Sequence, residues 1–292
     1  MISIAMTTYN GERYLQEQID SILNQTYSNF ELIICDDCST DSTIEIISSY
    51  NDSRIKLFVN DKNLGFKKNF EKAIKLCTGD YIALSDQDDI WESNHLEVLY
   101  EKINNKELIC GNNLLINENG ESKNINFFDS NLLDTNFYYT NYKIFLKILF
   151  SGGCFQGASM LMKKDFALKQ LPIPDNINSH DFWLSTNALL SNNFVCTNEI
   201  VTKYRQHSFQ VTKQNLISTS RISLINELNK KNVNSDFAIF LFYFNNSNSF
   251  FLRIRTLKYW YKYYYYIYPD RKIKKIFIRF IKYLLGGKNE KI

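Results

Sequence analysis

The stretch "FELIICDDCSTDSTIEIISSY", residues 30–50, decides the fold. Apolar residues crowd its start over the length of a buried strand, and two acids close that run. The "DSTIEIISSY" that follows (41–50) reads as a helix, with Asp41 or Ser42 as its cap and Glu45 in its first turn. A strand that feeds a helix through a polar turn is half of a βαβ unit. Outward from it the alternation continues in both directions. Before it stand a strand "ISIAMT" (2–7) and a helix "GERYLQEQIDSILNQ" (11–25), with Tyr14, Leu15, Ile19, Ile22 and Leu23 on one face. After it come a strand "RIKLFVN" (54–60), a helix "GFKKNFEKAIKLC" (65–77) and a strand "DYIALSD" (80–86). In that second helix Phe66, Phe70, Ala73, Ile74 and Cys77 recur at helical spacing. Strands separated by helices of about 10–15 residues predict a mainly parallel α/β sheet with right-handed crossovers.

Such sheets bind ligands beyond the carboxyl ends of their strands. The polar clusters "TTYN", "DDCSTD" and "DQDD" all fall there, which predicts one shared site. Past residue 105 the pattern loosens. "ELICGNNLLIN" (107–117) reads as a strand and hairpin region, 119–140 as a polar and aromatic loop, and "YKIFLKILF" (142–150) as a short amphipathic helix. "SGGCFQGASMLMKK" (151–164) is a glycine-containing loop entering a strand. A helix begins at "HDFWLSTNALL" (180–190), and "FVCTNEIVTKYRQH" (194–207) is a strand and its exit.

With 292 residues, 45% apolar and 22% charged, the chain can bury a sizeable core, and wholesale disorder is excluded. The start lacks a basic n-region and a long apolar run, so no secretory signal is read and the cytoplasm is expected. Six cysteines without a zinc-ribbon pairing read as reduced thiols, Cys35 buried in a strand. The net charge of +3 conceals an asymmetry: residues 251–292 carry a net +10 on an otherwise acidic chain. In "RKIKKIFIRFIKYLLGG" (271–287) Ile273, Ile276, Phe277, Phe280, Ile281 and Leu284 gather on one face, after the tyrosine-rich "LKYWYKYYYYIYP" (257–269). Two readings stand for this tail. It is a peripheral contact with anionic lipid on the inner face of the plasma membrane, or a helix that packs on its own domain or on a second copy in a homodimer. No nucleic-acid reader motif accompanies the charge, so nucleic acid is not expected as a partner.

"ALSDQDDIWE" (83–92) packs Asp86, Asp88 and Asp89 into four positions, where like charges repel unless a cation holds them. A calcium loop would want acids at alternate positions and a distal Glu, which are absent. Together "TTYNGERYLQEQIDSILNQTY", "FELIICDDCSTDST", "NLGFKKNFEKAI", "GDYIALSDQDDIW", "HDFWL" and "YRQH" resemble, in order and spacing, the family 2 glycosyltransferases with the GT-A fold. The last motifs look most like the subgroup of bacterial rhamnosyltransferases. The resemblance covers about residues 1–210.

It implies a GT-A catalytic domain over 1–215, with a nucleotide-sugar half to about 105 and an acceptor half over 106–215. A helical, basic and aromatic C-terminal extension follows over 216–292. It implies an inverting, metal-dependent transfer of a sugar from a UDP- or dTDP-sugar to a saccharide or lipid-linked acceptor in surface polysaccharide synthesis. By the same resemblance Thr7, Tyr9 and Asp37 contact the base and ribose, and Asp88 is a ligand of Mn²⁺ or Mg²⁺. Asp86 touches ribose or metal, and Asp89 stands open to either role. Asp181 is the catalytic base, with His180 beside it; His207 completes the metal sphere or touches the diphosphate. Arg205 is expected to neutralise phosphate, and Gln156 and Gly157 to line the acceptor side. The chain departs from the family in two places. Cys38 replaces the glycine of the commoner "DDGSTD", which carries strain if the position needs positive φ, and "SFQVTK" follows His207 where relatives have "GNN". The rival readings are a nucleotidyltransferase, whose phosphate loop is missing here, and a sugar-nucleotide-binding scaffold without turnover, against which Asp88 and Asp181 stand.

Overall fold

A computed structural model describes residues 1–130 and 155–208, save 176, 178 and 192. The helix expected over 142–150 and the whole extension over 216–292 lie outside the described residues. Every described residue belongs to one of the two units into which the chain divides, Met1–Thr140 with Ser151–Ser218.

The first half alternates as expected: β1 (Ile2–Thr8), α1 (Leu15–Leu23), β2 (Phe30–Asp36), α2 (Thr43–Ser48), β3 (Ile55–Val59), α3 (Phe66–Leu76) and β4 (Tyr81–Ser85). The second half holds β5 (Ile90–Trp91), α4 (His95–Lys102), β6 (Leu108–Ile116), β7 (Ser122–Asn126), α5 (Phe127–Ser130), β8 (Met160–Lys163), α6 (Lys164–Lys169), α7 (His180–Leu190) and β9 (Phe194–Arg205). One sheet takes them in the order β3-β2-β1-β4-β8-β6-β9-β5, and β7 pairs with β6 off that path.

β1 and β2 are buried along their whole length, which is why both read as unbroken apolar runs. Ile2, Ile4 and Met6 of β1, Leu32 and Ile34 of β2 and Leu15, Ile19 and Ile22 of α1 share one core with Leu96 and Leu99 of α4. Each fully buried Ile or Leu contributes about 1.5–3 kcal/mol. The chain moves outward from β1 to β2 to β3, then returns to place β4 on the other side of β1. That reversal opens a crevice at the carboxyl ends of β1 and β4, where such folds hold their ligands.

The two halves of the sheet differ in direction. β1 to β4 pair in parallel, whereas β8 runs antiparallel between β4 and β6, and β5 and β7 are antiparallel additions. β9 returns to parallel beside β6, from Leu108↔Phe194 to Ile116↔Arg205. The stretch over 119–140 is not all loop, since β7 and α5 lie in it. "SKNIN" has no apolar alternation because the residues of β7 are exposed or half-exposed and it has one described partner strand. α4, α6 and β5 also went unread; eight, six and two residues are too few for a convincing period. No described helix is long and apolar enough to cross a membrane.

Candidate active site

The exits of β1 and β2 are stitched to each other. Asp36 accepts hydrogen bonds from Thr8 Oγ1 at 2.7 Å and from Ser39 N and Oγ at 2.8 and 2.6 Å, which folds "DDCST" back on itself. This tight turn sets Cys38 at φ +70°, so the strain foreseen for a side chain in glycine's place is present. Across the gap, Asn10 N donates to Ser39 Oγ (2.9 Å), Thr40 N to Asn10 Oδ1 (2.9 Å) and Gly11 N to Thr43 Oγ1 (2.8 Å). Asp41 accepts from Thr43 Oγ1 and from Glu12 N. Burial pushes its carboxyl up, and those bonds outweigh burial and hold it below the usual range.

Asp37 is nearly closed off. Its Oδ1 accepts from Asn60 Nδ2 at 2.8 Å and Leu64 N at 2.7 Å, and its Oδ2 from Gly65 N at 2.8 Å. Its carboxylate therefore builds the loop that opens α3. Thr7 is buried at the end of β1, while Tyr9 beside it is 48% exposed, its ring turned out at the mouth of the crevice. Gln87 fixes that tyrosine: Oε1 accepts from Tyr9 N at 2.8 Å and Nε2 donates to Tyr9 O at 3.1 Å. One amide thus bridges the exits of β1 and β4 as a strand would. Gly11 makes room for it, since a Cβ there would stand 2.3 Å from Gln87 Oε1.

The register of two short strands brings the end of β9 to the acids. β5 follows "DQDD" at once and pairs antiparallel with β9, Ile90↔Lys203 and Trp91↔Thr202. Continued backwards, that register sets Asp89 opposite Tyr204 and Asp88 opposite Arg205, with His207 two residues further on. Arg205 N donates to Asp89 Oδ1 at 2.9 Å, and His207 Nε2 lies 2.8 Å from Asp88 Oδ2. The Arg205 guanidinium faces inward, contrary to the expectation of a phosphate contact. Its side chain is 2% exposed and bonds to the Asp88 carbonyl (2.8 Å), the Glu118 carbonyl (3.2 Å) and the Glu17 carboxylate, over the ring of Tyr14. A side chain so enclosed supports the acidic loop from beneath.

The acids crowd one another. Burial first, then the charges of Asp88 and Asp181, pushes Asp86 up to about 8. Asp89 is fully buried and raised well above the carboxylate range by burial, then by Asp88 and Asp86, with Arg205 opposing. Its Oδ2 is buried without a hydrogen-bond partner. Asp181 stands in the first turn of α7, behind Ser179 as N-cap, with Oδ1 accepting from Phe182 N at 2.7 Å. Its charge bears on Asp86, so the two carboxylates stand near one another.

His180 is buried and stacks on Phe70 with ring centroids 3.9 Å apart. A Cβ on Gly157 would meet its Nε2 at 2.7 Å, so Gly157 lets the loop before β8 close on His180, which packs beside Asp181. Tyr204 was missed by sequence reasoning. It is 6% exposed, and its hydroxyl is raised by burial and then by Asp89, Asp86, Asp88 and Asp181, so it sits amid all four acids. "YRQH" held it in view, but only its Arg and His carry obvious chemistry. Gln87 was equally visible as the middle of "DQD".

Among the described residues no group of three or more His, Cys, Asp or Glu forms a ready cage for a metal. The Asp88–His207 pair nevertheless suits a hard divalent ion, which one or two side chains hold while water and donor phosphates complete its sphere. The five described cysteines are free thiols, as expected, with Cys35 buried.

Residues 3–168 match the family described as Glycosyl transferase family 2. The chain is 40% identical over 121 residues to UDP-Glc:alpha-D-GlcNAc-diphosphoundecaprenol beta-1,3-glucosyltransferase WfgD of Escherichia coli; the match covers 41% of this chain and 48% of that one. It is 32% identical over 256 residues to O-antigen biosynthesis glycosyltransferase WbnJ of Escherichia coli, covering 84% of this chain and 95% of that one. The crystal structure of S. aureus TarS in complex with UDP-GlcNAc superposes with a TM-score of 0.59 at 19% identity, over 88% of this chain and 70% of that one. The GT-A architecture expected from the motifs is the fold observed.

Proposed function

The chain belongs to glycosyl transferase family 2, and on that premise we propose that it is an inverting, metal-dependent enzyme transferring a hexose or deoxyhexose from a UDP- or dTDP-sugar. The acceptor is a saccharide, free or lipid-linked, in the building of a surface polysaccharide. One observation carries this reading: just past the end of β4 the charges of Asp88 and Asp181 both bear on Asp86, and His207 Nε2 lies 2.8 Å from Asp88 Oδ2. The names of WfgD and WbnJ support the uridine donor and the polysaccharide setting.

In this reading Tyr9 stacks on the base, held in place by Gln87, and Thr7 lines the same pocket. Asp37 shapes the loop at residues 63–65 against which the base rests, and Asp86 meets the ribose. Asp88 and His207 would hold Mn²⁺ or Mg²⁺, which when bound neutralises the charge of the departing diphosphate. Asp89 stays buried and keeps the end of β9 in register. Asp181 accepts the acceptor hydroxyl's proton as the new bond to the anomeric carbon forms and the bond to the diphosphate breaks. The two groups lie on opposite faces of the sugar, which inverts the anomeric centre.

The test is a panel of UDP- and dTDP-sugars with Mn²⁺, scored for hydrolysis and for transfer to a polyprenyl-diphosphate-linked N-acetylglucosamine. Turnover of at least one donor, lost in Asp88→Asn and Asp181→Asn, is expected. Turnover that survives both substitutions contradicts the reading. The basic residues over 251–292 are proposed to rest on anionic lipid, near a lipid-linked acceptor. Replacing Lys272, Lys274 and Lys275 by Glu should abolish pelleting with phosphatidylserine vesicles. Equal pelleting speaks for packing on protein instead.

A further inference from the structure

The helical part of the motif "NLGFKKNF" (63–70) plays no part in the chemistry above, yet the first two turns of α3 are tied to the segment that leads into α7. Lys67 Nζ donates to the carbonyl oxygens of Asp175 at 2.9 Å and Ile177 at 2.6 Å. One turn on, Glu71 Oε1 accepts the Ile173 N–H at 2.9 Å. Phe70 stacks on His180 at 3.9 Å, and Phe66 meets the same ring edge-on at 6.3 Å. The N-terminus of α3 itself is anchored by Asp37, which accepts the N–H groups of Leu64 and Gly65. α3 is therefore fastened to the nucleotide side at one end and to the approach to Asp181 along its face.

We propose that Lys67 is a positioning residue for Asp181, and that α3 is the strut setting the distance between the base and the donor. The inference rests on the reading of Asp181 as the base. Its physical ground is the state of the approach segment. The described residues between Ile173 and Ser179 belong to no helix or strand, and the backbone bond found there is Ile177 N to Pro174 O at 3.0 Å. Main-chain carbonyls without a ladder need other donors, and an ammonium carries three. Lys67 spends two on this segment, in place of a sheet partner. Lys68 makes an instructive contrast. Its Nζ pairs with Glu71 Oε1 at 3.0 Å, and its ion pair with Asp175 spans 3.7 Å to a carboxylate that is 95% exposed, a geometry in which solvent leaves little net attraction. The two adjacent lysines differ in what they hold: Lys67 the backbone of the segment, Lys68 the carboxylate of Glu71.

The test compares Lys67→Met, Lys67→Arg and Lys68→Ala in the full chain, with three readouts. These are hydrogen exchange of peptides spanning 173–183, Mn²⁺-dependent hydrolysis of UDP-glucose, and the UDP dissociation constant with Mn²⁺. For Lys67→Met, exchange over 173–183 should quicken while that over 30–37 stays unchanged. Hydrolysis should fall by roughly tenfold to 100-fold, the scale of an ångström's misplacement. UDP binding should change by less than about twofold, because no nucleotide contact is removed. Lys67→Arg should restore most of the rate, and Lys68→Ala, which leaves the Glu71 bond to Ile173 N in place, should lose less than Lys67→Met. Hydrolysis at the wild-type rate in Lys67→Met overturns the proposal, and so does a loss of UDP affinity in step with the loss of rate. Asp181→Asn serves as the reference. Full hydrolysis there would overturn the base reading itself, and the inference with it.

Discussion

Residues 1–85 and residues 86–208 build one sheet by different means. In the first region β1, β2 and β3 lie side by side in chain order before β4 returns to β1, and the loops are joined by bonds between residues about thirty apart, such as Asn10 to Ser39 and Gly11 to Thr43. In the second region the decisive contacts reach back across the chain: Arg205 to Asp88, His207 to Asp88 and Arg205 to Glu17. The first half is a product of local pattern, whereas the second depends on long-range register. The first can be read from periodicity, and the second gathers the candidate site's acids.

The contrast can be broken most forcefully at Arg205. Removing a buried cation from its carboxylate and carbonyl partners costs about 3–5 kcal/mol, the lower end applying here because Glu17 is half-exposed. Arg205→Met should therefore lower unfolding stability in urea by about 3 kcal/mol, where deleting any single hydrogen bond of the first region costs about 1 kcal/mol. Equal losses from the two regions would remove the distinction.

A second test probes the base of the nucleotide half. Glu31, near the start of β2 and opposite Ser3 of β1, is buried, and burial raises its carboxyl. Hydrogen bonds from Lys56, Ser3 and Thr78 outweigh burial and hold it at about 2, against an ordinary 4.5. A carboxyl depressed in the folded state stabilises above its unfolded value, and the stabilisation fades as pH falls from about 4.5 through 2. On the order of 3 kcal/mol rides on it. Wild-type stability should decline over that window, and Glu31→Gln should flatten the decline. A parallel decline in both would leave other groups responsible.

The smallest effect belongs to Cys38. Its φ of +70° costs a side chain about 1 kcal/mol that glycine does not bear. Cys38→Gly should raise the midpoint of thermal unfolding by a few degrees, without change in donor turnover. An unchanged or lower midpoint would mean that contacts of the thiol offset the strain.

What the sequence disclosed follows the same division. The βαβ order of residues 1–85, the site beyond the strand ends and the strain at Cys38 were legible, because strands and helices of ordinary length leave a period and a turn leaves its acids. The roles of Gln87, Tyr204 and Arg205 were not. Nothing local to "YRQH" says that β5, two residues long, pairs with β9 and so turns the arginine inward and the histidine toward Asp88. β7 went unread for a related reason, since a strand with little buried surface has no alternation to show.

The most direct measurement is the affinity for UDP by titration calorimetry, with Mn²⁺ and with chelator, in the wild type, Asp88→Asn and His207→Ala. In the wild type Mn²⁺ should tighten UDP binding by at least about tenfold, as a cation bridging protein and diphosphate must. Asp88→Asn should erase the difference and His207→Ala reduce it. Equal affinity with and without Mn²⁺ in the wild type, or a full Mn²⁺ effect in Asp88→Asn, would contradict the account.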